Sequence, residues 1–153
     1  MEIELMQPGE EGLVIDLVRE VFDEIIAPGY TREGVDEFYN FARAQALARR
    51  SEQDHFTLVA RKKDHVLGII EIRDLNHVSM FFVRIPAQGG GVGKMLFQAA
   101  LAEIIERGGP LNSLTVNASL NAQKAYEALG FVARGGPQTF NGIRFIPMER
   151  GPK

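Results

Sequence analysis

The stretch FFVRIPAQGGGVGKMLFQAAL places glycine at 89, 90, 91 and 93, between an apolar run and the start of an apolar helical pattern. Glycine loses more backbone freedom on ordering than any other residue. Four in five positions therefore answer a demand: an awkward turn, or a ligand that must reach the main chain. A strand–loop–helix of this kind suits an anion. The first N–H groups of a helix lack intrahelical partners, and the macrodipole adds about half a positive charge there. The competing reading is a plain tight turn.

The surrounding residues narrow the anion. An ATP-binding loop needs G-x-x-x-x-G-K-[ST], and residues 88–95 read Q-G-G-G-V-G-K-M. Gln88 replaces the first glycine, Met95 replaces the hydroxyl that would hold Mg²⁺, and the preceding strand offers no Asp for the metal. The dinucleotide fingerprint G-x-G-x-x-G fails as well, because Gly89 and Gly91 would require glycine where Lys94 stands. What remains is Q/R-x-x-G-x-G, met by Gln88, Gly91 and Gly93. With this loop, "FFV" ahead of it, and "VNAS" followed by "NAQKAYEALGF", the chain resembles the GNAT acetyltransferase superfamily. The match is strongest from Asn76 to Phe131; the first half matches in element order alone.

The resemblance implies an acetyl-CoA-dependent N-acetyltransferase. By it, the backbone amides of Gly89, Gly90, Gly91, Val92 and Gly93, with Gln88 and Lys94 beside them, would hold the diphosphate. The main chain of Phe82 and Val83 would pair with the pantetheine arm, and Asn121 would bind the same arm or cap the following helix. Tyr126 matches the tyrosine that protonates the departing thiolate, a general-acid task; otherwise it is an aromatic covering the core. An alkylamine with a pKa of about 10 must lose a proton before it attacks. Candidate bases are Glu71, His77 and, through water, Ser79. Glu71 interrupts the apolar run LGIIEIR on the strand face opposite Ile70 and Ile72; alternatively it faces solvent or pairs with Arg73. His77 opens a strand, titrates near neutrality, and otherwise caps a strand edge. Tyr30 in "IIAPGYTREG" and Phe140 in "RGGPQTFNG" would shape the acceptor pocket.

These residues need a scaffold. EIELM alternates and ends at Pro8-Gly9, predicting a first strand. Val14, Leu17, Val18, Val21, Phe22 and Ile25 follow helical spacing to about Ile26. A second helix is predicted from Arg32 to about Arg50, with Phe38, Phe41, Ala42 and Gln45 near one face. HFTLVAR and HVLGIIEIRD predict an antiparallel hairpin, and NHVSMFFVR a fourth strand whose continuous apolar end suggests burial on both faces. A helix from about Val92 to Arg107, a strand in LNSLTVNAS and a short helix in NAQKAYEAL follow. Closing strands in FVARGG, QTF and IRFIPME surround Asn141-Gly142, a strong hairpin turn. Early hairpins and a central crossover predict an α+β fold: a mixed, mostly antiparallel sheet with helices on both faces, in one domain over 1–153. That order matches the GNAT family.

Composition excludes several classes. The 153 residues are 45% hydrophobic with a formal charge of −3, so neither a disordered tail nor a nucleic-acid partner is expected. The absence of cysteine removes thiolate metal sites, disulfides and any acyl-cysteine intermediate. The three histidines lack metal-ligand spacing, and no apolar run approaches the roughly 20 residues of a membrane span. The expectation is a cytoplasmic enzyme using acetyl-CoA without a metal, with a homodimer as the default assembly. Its partner is a small-molecule amine or a peptide or protein amine. The alternatives are a catalytically silent acyl-CoA-binding regulatory module and, further off, a phosphate-binding nucleotidase.

Overall fold

The first strands pair with their neighbours in sequence. In the computed structural model, which describes residues 1–110 and 113–151, strands β2 (His55–Lys62) and β3 (His65–Arg73) form an antiparallel hairpin. β4 (His77–Val83) returns antiparallel to β3, and β1 (Glu2–Leu5) pairs along the other edge of β2. The chain then crosses over through α4 (Val92–Glu106) to β5 (Leu114–Ala118), which lies parallel to β4. A parallel neighbour requires such a crossover. After α5 (Gln123–Ala128) come β6 (Val132–Ala133), β7 (Gln138–Phe140) and β8 (Ile143–Arg150). The spatial order is β1-β2-β3-β4-β5-β8-β6, with β7 on β8. The sheet is mixed and mostly antiparallel, as the sequence predicts.

Each face has its own apolar cluster. Leu96, Phe97, Ala100 and Ile104 of α4, with Tyr126 and Phe131, pack on Phe56, Leu58, Ile70 and Ile72. On the other face, α1 (Glu11–Val21), α2 (Arg32–Phe41) and α3 (Ala44–Ser51) bring Val14, Leu17, Val18, Ala42 and Leu47 against Val59, Ile69 and Met80. Strand alternation assigns successive residues of β3 to opposite clusters.

Several elements differ from expectation for local reasons. The helix predicted over Arg32 to Arg50 is two helices, because Ala42 leaves helical geometry (φ −91°, ψ 68°) and Arg43 is extended. The restart turns the inner face, so Leu47 is fully buried and Gln45 is exposed. The first α-helix stops at Val21; the chain continues as a π-turn over Phe22–Ile26 and a 3₁₀ turn over Ala27–Gly29. Buried Phe22 stacks on Phe38 there, with ring centroids 4.0 Å apart. The apolar end of β4 is not buried on both faces: Ser79, Phe81 and Val83 are half-buried because they border a cavity. The closing strand in FVARGG shrinks to two residues. Asn141 and Gly142 form the β7–β8 turn at φ 51° and 80°, the geometry of a two-residue hairpin loop. Leu111 and Asn112, expected to open the fifth strand, lie outside the described residues. No helix among the described residues is long and apolar enough to cross a membrane.

The two-helix arrangement predicts that Leu47→Ala costs about 2–5 kcal/mol of stability, whereas Gln45→Ala stays within about 0.5 kcal/mol. Urea denaturation of both variants checks this, and comparable losses would contradict the break at Ala42.

Candidate active site

The sheet opens where the chain would need it to. β4 and β5 pair at His77–Thr115 and Val78–Val116 and then part. From Ser79 to Val83, β4 keeps β3 on one edge, while β5 continues along β8. A register shift at Glu71/Ile72, opposite Ser79, lies at the level of the split; such bulges increase local twist. The widening gap leads into a cavity of about 930 Å³, bordered by Ser79 to Val83 on one side and by Asn117, Ser119 and Tyr126 on the other.

The glycine loop stands at one mouth of this cavity. Gly89 and Gly91 adopt left-handed φ values of 85° and 86°, and Gly91 is the N-cap of α4. The N–H groups of Gly89, Gly91, Val92, Gly93 and Lys94 donate to no backbone acceptor among the described residues. The N–H of Gly90 is already engaged by the Ala87 carbonyl at 3.4 Å, so it leaves the expected donor set. Gln88 Nε2 donates to the Val83 carbonyl at 3.0 Å, pinning the loop to the end of β4. Lys94 is exposed on the same rim. Five open donors, a helix N-terminus and a lysine together fit an anion with several oxygens.

Tyr126 lies across the gap from Phe81, edge to face at 6.1 Å, and packs against Phe131 at 5.4 Å. Burial raises the pKa of its phenol above the ordinary tyrosine value, so it remains a proton donor near neutral pH. Asn121 borders the same space, but its Nδ2 donates to the Ile25 carbonyl at 3.1 Å. It does not cap α5, whose N-cap is Ala122. The amide instead ties the entrance of α5 to the π-turn.

The floor holds the expected bases in unequal positions. His77 Nδ1 lies 2.7 Å from Thr115 Oγ1, and that hydroxyl lies 3.3 Å from the Asn76 carbonyl. A hydroxyl has one proton; given to the carbonyl, it makes His77 Nδ1 the donor and leaves the lone pair on Nε2. Burial first, then Arg73 and His55, lower the pKa of His77 to about 4. It is neutral at pH 7. Glu71 is fully buried and neither faces solvent nor pairs with Arg73. Its Oε2 accepts from Arg50 Nε (2.8 Å) and lies 2.7 Å from His55 Nδ1, and its Oε1 accepts from Arg50 Nη2 (3.2 Å). Arg50 also donates to the Phe41 carbonyl at 2.7 Å and lies over that ring. Glu71 does not line the cavity; His55 does. The sequence reading missed His55, although the hairpin register that pairs Thr57 with Glu71 places it two residues away on the same strand face.

The far wall carries Tyr30 and Phe140. Tyr30 is half-buried, edge-on to Phe22 at 5.5 Å, while Phe140 is exposed at the rim. The β7–β8 turn rests on the start of α2 so closely that a Cβ on Gly34 would overlap the Gly142 carbonyl oxygen. Thr31 Oγ1 donates to that oxygen at 3.5 Å, and Asn141 Nδ2 donates to Glu37 Oε1 at 2.8 Å.

A family model described as an acetyltransferase (GNAT) domain matches residues 26–151. The chain belongs to the GNAT acetyltransferase family. No curated protein sequence matches it. Solved GNAT structures align over nearly its whole length. A GCN5-related N-acetyltransferase from Rhodopseudomonas palustris superposes with a TM-score of 0.83 at 21% identity, covering 99% of this chain and 95% of that one. The PaiA N-acetyltransferase of Thermoplasma acidophilum, in complex with coenzyme A, gives 0.79 at 17% identity, with 99% and 100% covered. An aminoglycoside 6′-N-acetyltransferase complexed with coenzyme A gives 0.72 at 15%, with 100% and 99% covered. At these identities the likeness is one of fold.

Two outcomes follow for this GNAT chain. Gly34→Ala must displace the β7–β8 turn, so amide hydrogen exchange over Gln138–Phe145 should quicken while exchange in α4 does not; unchanged exchange at the hairpin would contradict the contact. His77 has a native pKa below its unfolded value near 6.5, so the unfolded chain takes up the proton first as pH falls. Its contribution is complete above about pH 6.5 and declines towards about pH 4. Urea midpoints of wild type and His77→Gln should therefore converge over that window; a gap independent of pH would contradict a neutral His77.

Proposed function

We propose that the chain is a single-domain N-acetyltransferase that moves an acetyl group from acetyl-CoA to a primary amine by direct attack in a ternary complex. The observation that carries this reading is the continuity of three features: the open edge of β4, the β4–β5 gap, and the five unbonded N–H groups at the entrance of α4. An extended arm ending in a diphosphate fits that succession. Two of the fold relatives were solved with coenzyme A, which supports the same donor.

When bound, acetyl-CoA supplies an acyl group activated as a thioester. The amides of Gly89 and Gly91 to Lys94 would hold the diphosphate, with Lys94 adding charge. The main chain of Phe82 and Val83 would pair with the pantetheine arm, and Gln88 and Asn121 would fix the two walls. The amine nitrogen forms its bond to the acetyl carbon as the carbon–sulfur bond breaks. Tyr126 would give its proton to the departing sulfur, and the proton lost by the amine would leave through water past His77. The lowered pKa of His77 makes it a weaker base than the sequence suggests and would leave its neutral Nε2 to orient that water. Glu71 would hold the floor through His55 rather than touch the acceptor. With no cysteine in the chain, an acyl-cysteine route is closed.

Acetyl-CoA at 100 times its Kd should stabilise the fold by about 2.7 kcal/mol and release free thiol with an amine, while ATP-Mg²⁺ does neither. Stabilisation without thiol release from any amine would favour a silent acyl-CoA-binding module. Tyr126→Phe should lower kcat by about 10²-fold with acetyl-CoA affinity retained; full turnover would remove Tyr126 as the acid.

A further inference from the structure

We propose that the acceptor is a small amine with an apolar body, aromatic or branched aliphatic, and that Glu37 draws its ammonium group into the cavity. This rests on the acetyltransferase reading above and names the substrate class of that site. Where α2, the turn before it and the β7–β8 hairpin line the cavity, its wall is made of Tyr30, Phe38, Phe41, Phe140 and Phe145. Ring faces of this kind accept apolar groups and attract a cation through their quadrupoles.

Charge is the second observation. Glu37 is the carboxylate among the described residues that line the cavity. Asn141 occupies its Oε1, and Oε2 has no partner among the described residues. Glu37 also borders a surface groove with Arg32, Glu33, Asp36 and Asn40, so it stands where the cavity meets solvent. A carboxylate there, with acidic neighbours outside, speeds the arrival of a cation.

The floor neither repels nor multiplies that charge. The guanidinium of Arg50 is committed to Glu71, and Arg73 lies 3.8 Å from Asp74 with half its side chain exposed. His55 sits between Glu71 at 2.7 Å and Asp54 at 3.4 Å. His77 is neutral, and Lys94 belongs to the loop mouth. A polyamine or an aminoglycoside brings several ammonium groups, and each one buried without a counter-charge is costly. One carboxylate meets the need of a monoamine.

The test measures thiol release by the full chain with saturating acetyl-CoA and four probes: phenethylamine, isoamylamine, spermidine and kanamycin. The two apolar monoamines should show kcat/KM at least tenfold above the two polycations. Glu37→Gln should raise KM for phenethylamine at least fivefold, with a smaller change in kcat. It should also flatten the rise of KM with added salt, a dependence that a merely structural residue would leave in place. A preference for spermidine or kanamycin would overturn the proposal. So would failure of both monoamines while acetyl-CoA still stabilises the fold, or an unchanged salt dependence in Glu37→Gln. Loss of acetyl-CoA stabilisation in the wild-type chain would overturn the acetyltransferase reading itself, and this inference with it.

Discussion

The parting of β4 from β5 after two residue pairs is the constraint on which the rest of this structure depends. A strand edge inside a protein leaves N–H and C=O groups without partners, which is costly unless something else supplies them. Here the crossover through α4 and the pairing of β5 with β8 hold the two strands apart. The bulge opposite Ser79 adds twist at the same level. The open edge then continues into a loop whose glycines turn the chain left-handed and leave the first N–H groups of α4 unbonded. Both features are unfavourable for a free chain and favourable for one that binds an extended anionic molecule.

The sheet divides the chemistry between its faces. Phe81 and Tyr126 belong to the α4/α5 side, while Met80, Phe82 and the aromatic residues of the π-turn and α2 belong to the other. Alternation along β4 thus gives the cavity two walls of different make-up. The ion pair of Glu71 and Arg50 supports the second wall. It is buried, hydrogen-bonded at both carboxylate oxygens, and links β3 to α3 and to the last carbonyl of α2. Removing one member of such a pair is far more damaging than replacing both. Its position explains how α3 restarts at a defined angle after Ala42.

Much of this was legible in the residues. Gln88 and Met95 ruled out the ATP loop and Lys94 the dinucleotide loop on chemical grounds, and Asn141-Gly142 specified its hairpin through the φ values that it tolerates. The helix periods placed α1 and α4 on the sheet. The rest depended on distant partners. Nothing near Ala42 in sequence announces the break, because its cause is the burial of Leu47 and the Arg50–Glu71 contact across the fold. Glu71 read as a polar interruption of an apolar run, which does not reveal whether its partner is water or an arginine 21 residues away. Asn121 had the residue type of a helix cap but found the Ile25 carbonyl, a contact across 96 residues. Gly34 gave no local signal, since its requirement lies in the tip of a hairpin near the other end of the chain.

The central claim is that the β4 edge and the glycine loop form one continuous acyl-CoA site. Amide chemical-shift mapping of the ¹⁵N-labelled chain, titrated with coenzyme A, tests it most directly. Shifts should concentrate at Gly89, at Gly91 to Lys94 and along Ser79 to Val83, with Gly90 moving less because its N–H is already bonded. Saturation by coenzyme A with those amides unmoved, or with shifts confined to another surface, would contradict the account.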